Sequence, residues 1–383
     1  MIYFDNAATS YPKPKRVGRE MLHFLEKVGA SPGRSGHRLS IEAGRIIYQT
    51  RESLAELFNV DDPLRIIFTL NVTEALNLVL KGLLRPGDQV ITSSMEHNSV
   101  MRPLRELEKI GVEVKVIPCS PQGALAPVDI EKAIKKNTKL IVLNHGSNVI
   151  GSILPIAIVG EIARRHDILF LVDAAQTAGC YSLDIKKNKI DLLAFTGHKA
   201  LFGPPGTGGL VVGERVDIKK LNPLKVGGTG SRSESEEQPD FLPDIYESGT
   251  PNTVGLAGLN AGINFLLKEG IDKIHQYELN LSQRLIEGLK EIPGVIVYAG
   301  NQDKERVAVV SFNIKDYLPS EVGLKLDEEY NIMCRVGLHC SPAAHKTIGT
   351  FPVGTIRFSM SYFNTIEEVD KAIAAIKNIT KNV

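Results

Sequence analysis

The sequence has no tryptophan and only four cysteines, at positions 119, 180, 334 and 340. None of them forms a C-x-x-C pair, and four in 383 residues are too sparse for a disulfide framework or a zinc site. Free thiols in a reducing compartment are expected, and no bound metal. The chain also lacks an excess of charge. Its 45 Lys and Arg face 44 Asp and Glu, a net charge of +1, so there is no electrostatic reason to expect nucleic acid or a membrane surface as partner. No apolar run reaches the ~20 residues that span a bilayer. Asp5 and Asn6 interrupt the start of the chain before a secretory leader could form. A cytoplasmic location is the expectation. Internal repeats and long low-complexity tracts are missing as well.

What is present is an ordinary globular composition, 43% apolar and 23% charged, in a chain longer than one core usually holds. Two domains are therefore expected. Through the first two thirds, short apolar runs alternate with amphipathic segments. "RIIFTL" (65–70), "QVITSS" (89–94), "VEVKVIP" (112–118), "KLIVLNH" (139–145), "ILFLVDA" (168–174), "DLLAFTG" (191–197) and "GGLVVG" (208–213) read as strands. Helical patterns lie between them at 73–84, 98–109, 128–136 and 155–166. That rhythm predicts an α/β fold with a mostly parallel, doubly wound sheet, whose ligands gather at the carboxyl ends of the strands. The stretch 227–244 is polar and rich in Gly, Ser and Glu, and predicts a long loop. Beyond it come two helical segments, strands "VIVYA", "VAVVSFNI" and "GTIRFSM", and a closing helix with Thr365 as N-cap and Glu368 in capping-box position. The expected division is a large domain over 12–255 and a smaller α/β domain over 256–383, joined by the N-terminal segment 1–11.

The stretch "TGHKALFGPPGTGGL", Thr196 to Leu210, holds two competing signals. Gly203 and Gly208 have P-loop spacing, but the lysine position is Gly209 and the hydroxyl position is Leu210. Both groups that handle nucleotide phosphate are absent, so GPPGTGG predicts a turn in which backbone passes close to something. Lys199 ends a buried strand among apolar residues, where a lysine can lose basicity and attack a carbonyl. Asp173 ends another apolar strand, where a bare carboxylate is costly. It is either an N-cap, half of a buried salt bridge, or the counter-ion of a buried cation. A lysine and such an acid are the pair that pyridoxal phosphate requires. Gln176 follows one turn later and can donate to that cofactor's phenolate oxygen.

Seven motifs in register sharpen this. "FDNAATS" (4–10), "EHNS" (96–99), "SNVIG" (147–151), "VDAAQ" (172–176), "TGHK" (196–199), "SGTPNT" (248–253) and "RVGLHC" (335–340) occur in this order. Together they resemble the cysteine desulfurase/selenocysteine lyase family, the class-V aminotransferase-like branch of the fold-type I pyridoxal phosphate enzymes. The resemblance runs from residue 3 to about 366. It implies a large domain with a mainly parallel sheet and a smaller C-terminal domain. Lys199 becomes the covalent attachment point of the cofactor, Asp173 the partner of its ring nitrogen, and His97 the residue stacked on its ring. Its phosphate is expected at the helix start "NVTEA", on Val72 and Thr73, with Thr196 and His198 nearby. At Val72 the family often has a hydroxyl residue, so that contact is through backbone alone. Thr250 matches a residue that reaches the phosphate from a second copy, which implies a homodimer with shared sites.

The same resemblance assigns chemistry to Cys340, as the thiol that accepts sulfur from L-cysteine on a mobile loop. Arg335, His339 and His345 are expected to favour its thiolate. Arg357 is expected to hold the substrate carboxylate, Asn148 to touch substrate or cofactor, and Arg335 and His37 to line the site. The implied activity is cysteine desulfurase, converting L-cysteine to L-alanine, with a sulfur-acceptor protein as a further partner. Selenocysteine lyase acting on L-selenocysteine, a class-V aminotransferase and a non-catalytic scaffold are the competing readings.

Overall fold

The computed structural model describes residues 1–33, 36–299 and 305–381. At its centre is a seven-stranded sheet in the order Ile66–Thr69, Gly208–Val212, Leu192–Thr196, Leu169–Asp173, Thr138–Asn144, Gln89–Ser93 and Glu113–Ile117. Gly208–Val212 pairs antiparallel with both its neighbours, and the remaining pairings are parallel. The strands are apolar throughout because both faces are covered. Leu192 and Ala194 enter one core while Leu193 and Phe195 enter the other, and Leu140 and Val142 are separated from Ile141 and Leu143 in the same way. This is the two-residue period of a strand with no solvent face. Helices Val72–Leu83 and Asn98–Glu108 close one face, and Arg38–Phe58, Ile156–Arg165 and Thr253–Glu269 the other.

A second core forms around an antiparallel sheet ordered Arg335–Gly337, Thr355–Ser359, Val309–Ile314 and Val295–Tyr298. Ile2–Tyr3 pairs in parallel with Ile332–Met333, and Ile2 and Phe4 are buried in this same core. The closing helix Ile366–Lys381 starts with a reciprocal cap. The Glu368 amide donates to Thr365 Oγ1 at 3.2 Å, and the Thr365 amide donates to Glu368 Oε2 at 3.1 Å. Such a cap is worth about 1 kcal/mol. Helix Thr253–Glu269 lies beyond position 255 in the chain, yet Leu256, Leu259, Ile263 and Leu266 pack on the large sheet. Packing passes to the second core along helix Ile271–Lys290, where Ile274 still joins the large-sheet core and Leu281, Leu285 and Leu289 join the second.

Residues 227–244 form no helix or strand. Gly208 and Gly209 explain the glycine-rich stretch before them. A Cβ on Gly208 would lie 2.6 Å from Asn71 Cα, and one on Gly209 would lie 2.5 Å from the Phe195 ring. The strand therefore presses against the start of helix Val72–Leu83 in a way a side chain would block.

Candidate active site

The carboxyl ends of the parallel strands open on a cavity of about 280 Å³. It is lined by Val72, Thr73, His97, Asn148, Asp173, Gln176, Thr196, His198 and Lys199, joined by Asn71, Ser99, Asn144, Gly146 and Ala175. Nine of the predicted residues thus converge from segments up to 127 positions apart (199 − 72).

One end of the cavity suits an anion. Asn71 caps helix Val72–Leu83 by accepting the Glu74 amide at 3.0 Å. The amides of Val72 and Thr73 in that first turn have no intrahelical acceptor, and the helix dipole adds partial positive charge there. Thr196 Oγ1 is buried without a hydrogen-bond partner. A buried hydroxyl left this way is costly unless a ligand engages it.

The other end suits a cation. Asp173 is buried, and its Oδ1 accepts the Ala175 amide at 2.9 Å. Among the described residues no ion pair reaches it. Burial pushes its carboxyl above the usual range, against the pull of the Ala175 amide and of Lys199. Lys199 is lowered to about 8, first by burial and then by Arg357 and Arg335, with Asp173 and Cys340 opposing. A lysine so tuned is partly neutral near pH 7 and is a competent nucleophile and base. His97 is lowered to about 4, mainly by burial, and is neutral. Its Nδ1 accepts the Ser99 amide at 3.0 Å, which leaves the ring proton on Nε2. Ser99 was not singled out from the sequence. Its hydroxyl lies 2.8 Å from His97 Nδ1 and 2.9 Å from Thr73 Oγ1, and so links the two ends of the cavity. Gln176 lines the cavity too, with one amide hydrogen donated to Ala7 O at 3.1 Å.

The arginines and the thiol come from the smaller core. Arg357, 2% exposed, donates from Nη1 to Asn148 O and from Nη2 to Asp5 Oδ1, both at 2.9 Å. Its Nε is buried without a partner. Arg335 is half-exposed and reaches the same Asp5 carboxylate at 2.9–3.1 Å. Asp5 sits in the FDNAATS motif, which by itself does not reveal its role. It neutralises part of a two-arginine cluster drawn from residues 330 and 352 positions away.

Cys340 is exposed. It follows strand Arg335–Gly337 and precedes helix Pro342–Thr347. The segment between them is a tight turn. His339 (φ 48°) and Cys340 (φ 56°) are both left-handed, a conformation that costs about 1–2 kcal/mol at each residue bearing a Cβ. His339 O accepts from Asn148 Nδ2 at 2.7 Å, Cys340 O from the Asn98 amide at 2.9 Å, and the Ser341 amide closes the turn on Leu338 O at 2.8 Å. The two histidines expected to favour a thiolate do not carry charge. Burial lowers His339 to about 2 and His345 to about 4, so positive charge near Cys340 comes from Arg335, Arg357 and Lys199.

Two of the candidate residues lie outside this cavity. His37 does not line the cavity. It is exposed and caps helix Arg38–Phe58, its Nδ1 accepting the Ser40 amide at 3.2 Å. Thr250 is exposed as well and lines a separate cleft with Phe68, Glu74 and Glu247.

A family model described as aminotransferase class-V matches residues 2–372. A probable cysteine desulfurase of Pyrococcus abyssi is 37% identical over 391 aligned positions, covering 100% of this chain and 95% of that relative. One from Methanothermobacter thermautotrophicus is 35% identical over 96% of this chain and 92% of the relative. Among solved structures, the apo cysteine desulfurase of Thermococcus onnurineus superposes with a TM-score of 0.94 at 35% identity, covering 100% of this chain and 95% of that one. A cysteine desulfurase of Escherichia coli in an S-sulfonic acid form gives 0.89 at 27% identity, with 100% and 95% covered. No helix among the described residues is long and apolar enough to cross a membrane. The chain belongs to the class-V aminotransferase family.

Proposed function

We propose that this protein is a pyridoxal-phosphate-dependent cysteine desulfurase that converts L-cysteine to L-alanine and holds the released sulfur on Cys340. The observation that carries the reading is the convergence of Lys199, Asp173 and an anion-ready helix start in one cavity, with Cys340 near enough to Lys199 to influence its titration. The residues fit the cofactor. The orphaned Thr196 hydroxyl and the first-turn amides of Val72 and Thr73 suit its phosphate, and the buried Asp173 carboxyl suits its ring nitrogen. His97 and His198 would flank it, and Lys199 would hold it covalently. When bound, it supplies an electron sink for the bonds at the substrate's Cα.

The chain's own groups do the rest. Arg357 offers its unpartnered Nε to the substrate carboxylate, with Arg335 beside it. The neutral amine of Lys199 removes the Cα proton, and neutral His97 presents an Nε2–H toward the cavity. The Cys340 thiolate attacks the substrate Sγ. An S–S bond forms, the Cβ–Sγ bond breaks with its electron pair left on the carbon fragment, a proton is added at Cβ, and Lys199 returns a proton to Cα. L-cysteine and one thiol thus give L-alanine and one persulfide, with atoms balanced. In the same reading Thr250 serves the cavity of a second copy, so the protein is a homodimer, and a sulfur-acceptor protein in the cytoplasm empties Cys340.

The test is product analysis of cofactor-loaded protein. Equimolar alanine and sulfur from L-cysteine is the expected result. Transfer of the amino group to a keto acid instead identifies an aminotransferase. A kcat/KM far higher for L-selenocysteine, retained in Cys340→Ala, identifies a selenocysteine lyase.

A further inference from the structure

The segment that carries Thr250 is fixed at both ends and exposed at its apex. On the near side, Glu247 Oε2 accepts from Arg51 Nη2 and Glu247 Oε1 accepts the Phe68 amide, both at 2.6 Å. On the far side, Asn252 Oδ1 accepts the Gly255 amide and Asn252 Nδ2 donates to Gly206 O, both at 3.0 Å. Between them Gly249 turns with a left-handed φ of 93°, which glycine adopts freely, and its amide donates to Gly228 O at 2.8 Å. Thr250 is exposed and lies outside the cavity of its own chain.

The Glu247 end is a clamp on the large sheet. Ile66–Thr69 is an edge strand of that sheet, and the Phe68 amide there meets a carboxylate instead of a further strand. Arg51 also donates to Ile66 O, and its guanidinium carbon lies 4.4 Å from the centroid of the Phe68 ring. The side chains of Arg51 and Glu247 are 4% and 18% exposed. A carboxylate so enclosed, with a guanidinium on one oxygen and an amide on the other, holds one orientation. Removing its charge leaves Arg51 buried and unpaired. Arg51, Phe68 and Glu247 do not line the active-site cavity of their own chain. What the clamp fixes is the start of the segment that ends at Thr250.

We propose that Glu247 is a positioning residue that acts in trans: with Arg51 it fixes this segment so that Thr250 of one copy meets the cofactor phosphate in the cavity of the other. This rests on the reading of Thr250 as serving a second copy.

The test uses dimers assembled from two differently tagged chains, one of which carries Lys199→Ala. Only the other copy's cavity then holds pyridoxal phosphate covalently, and its dissociation constant is read from the absorbance of the lysine-bound cofactor. Glu247→Gln keeps the shape of the side chain and removes its charge. Placed in the Lys199→Ala chain, it alters the Thr250 segment that enters the intact cavity. Placed in the other chain, it leaves that segment wild-type. The constant is expected to rise about tenfold in the first arrangement, the loss of one hydrogen bond to a charged group, and to stay within about twofold of the unsubstituted control in the second. A clamp that only stabilised its own fold would weaken both arrangements alike. Thr250→Ala supplies the reference and is expected to show the same asymmetry. Arg51→Lys, which keeps the charge but not the paired donors, is expected to show it too, and makes the comparison if Glu247→Gln fails to assemble. Equal loss in both arrangements, or no loss in the first while Thr250→Ala shows one, would overturn the proposal and leave the Thr250 reading standing. If Thr250→Ala shows no loss in trans, or the protein sediments as a monomer, the fault lies in the Thr250 reading, and the proposal falls with it.

Discussion

Lys199 allows a quantitative prediction. Cofactor-free protein captures pyridoxal phosphate only through the neutral amine of that lysine, so the capture rate follows its titration. Burial, reinforced by Arg357 and Arg335, brings the amine from 10.5 down to about 8. At pH 7 a group titrating at 8 has about 10^2.5, or roughly 300 times, the neutral fraction of one titrating at 10.5. The rate is expected to rise about tenfold per pH unit below 8 and to level off above it. His97 and His198, both lowered to about 4, stay neutral over this range and add no inflection. The assay is stopped-flow absorbance on mixing apo protein with pyridoxal phosphate from pH 6 to 10. Nα-acetyl-lysine run in parallel removes the aldehyde's own pH dependence. Two substitutions check the cause. Asp173→Asn removes a carboxylate that favours the charged amine, so the midpoint falls. Arg357→Leu removes a cation, so the midpoint rises. A wild-type midpoint close to that of Nα-acetyl-lysine would refute the reasoning about burial.

Other outcomes follow from the same geometry. Gly208→Ala places a Cβ 2.6 Å from Asn71 Cα and 2.9 Å from Phe195 O. A loss of about 1–3 kcal/mol in urea unfolding is expected, with weaker binding of pyridoxal phosphate because Asn71 caps the helix that receives its phosphate. Arg357→Leu removes charge-assisted hydrogen bonds worth about 1.5–3 kcal/mol, so the steady-state KM for L-cysteine is expected to rise at least about tenfold. If Thr250 completes the cavity of a second copy, a mixture of Lys199→Ala and Thr250→Arg proteins, unfolded and refolded together, regains desulfurase activity that neither has alone. No recovery on mixing would remove Thr250 from the site.

Much of the site was legible because its residues end strands, and strand ends can be read from where apolar runs stop. Asp173 closes such a run, Lys199 lies in the turn just past Thr196 where another ends, and the cavity forms where those ends meet. Helix Arg38–Phe58 was not legible, since Leu39, Ile41 and Tyr48 are exposed apolar residues that blur its amphipathic stripe. The pairing of Asp5 with two arginines more than 300 residues away has no local signature. The charge states of His339 and His345 depend on burial, which the motif around Cys340 does not reveal. The turn that carries Cys340 is held by Asn98 and Asn148, both distant in sequence. His37 lies outside the cavity of its own chain, its ring used locally at the start of its own helix.

The most direct measurement is the mass of the Cys340 peptide after cofactor-loaded protein meets stoichiometric L-cysteine. The prediction is a peptide one sulfur atom heavier in the wild type, an unmodified peptide in Lys199→Ala, and one alanine released per sulfur bound. Alanine formed without sulfur on Cys340, or sulfur found on Cys119, Cys180 or Cys334 instead, would contradict the assignment of Cys340 as the acceptor.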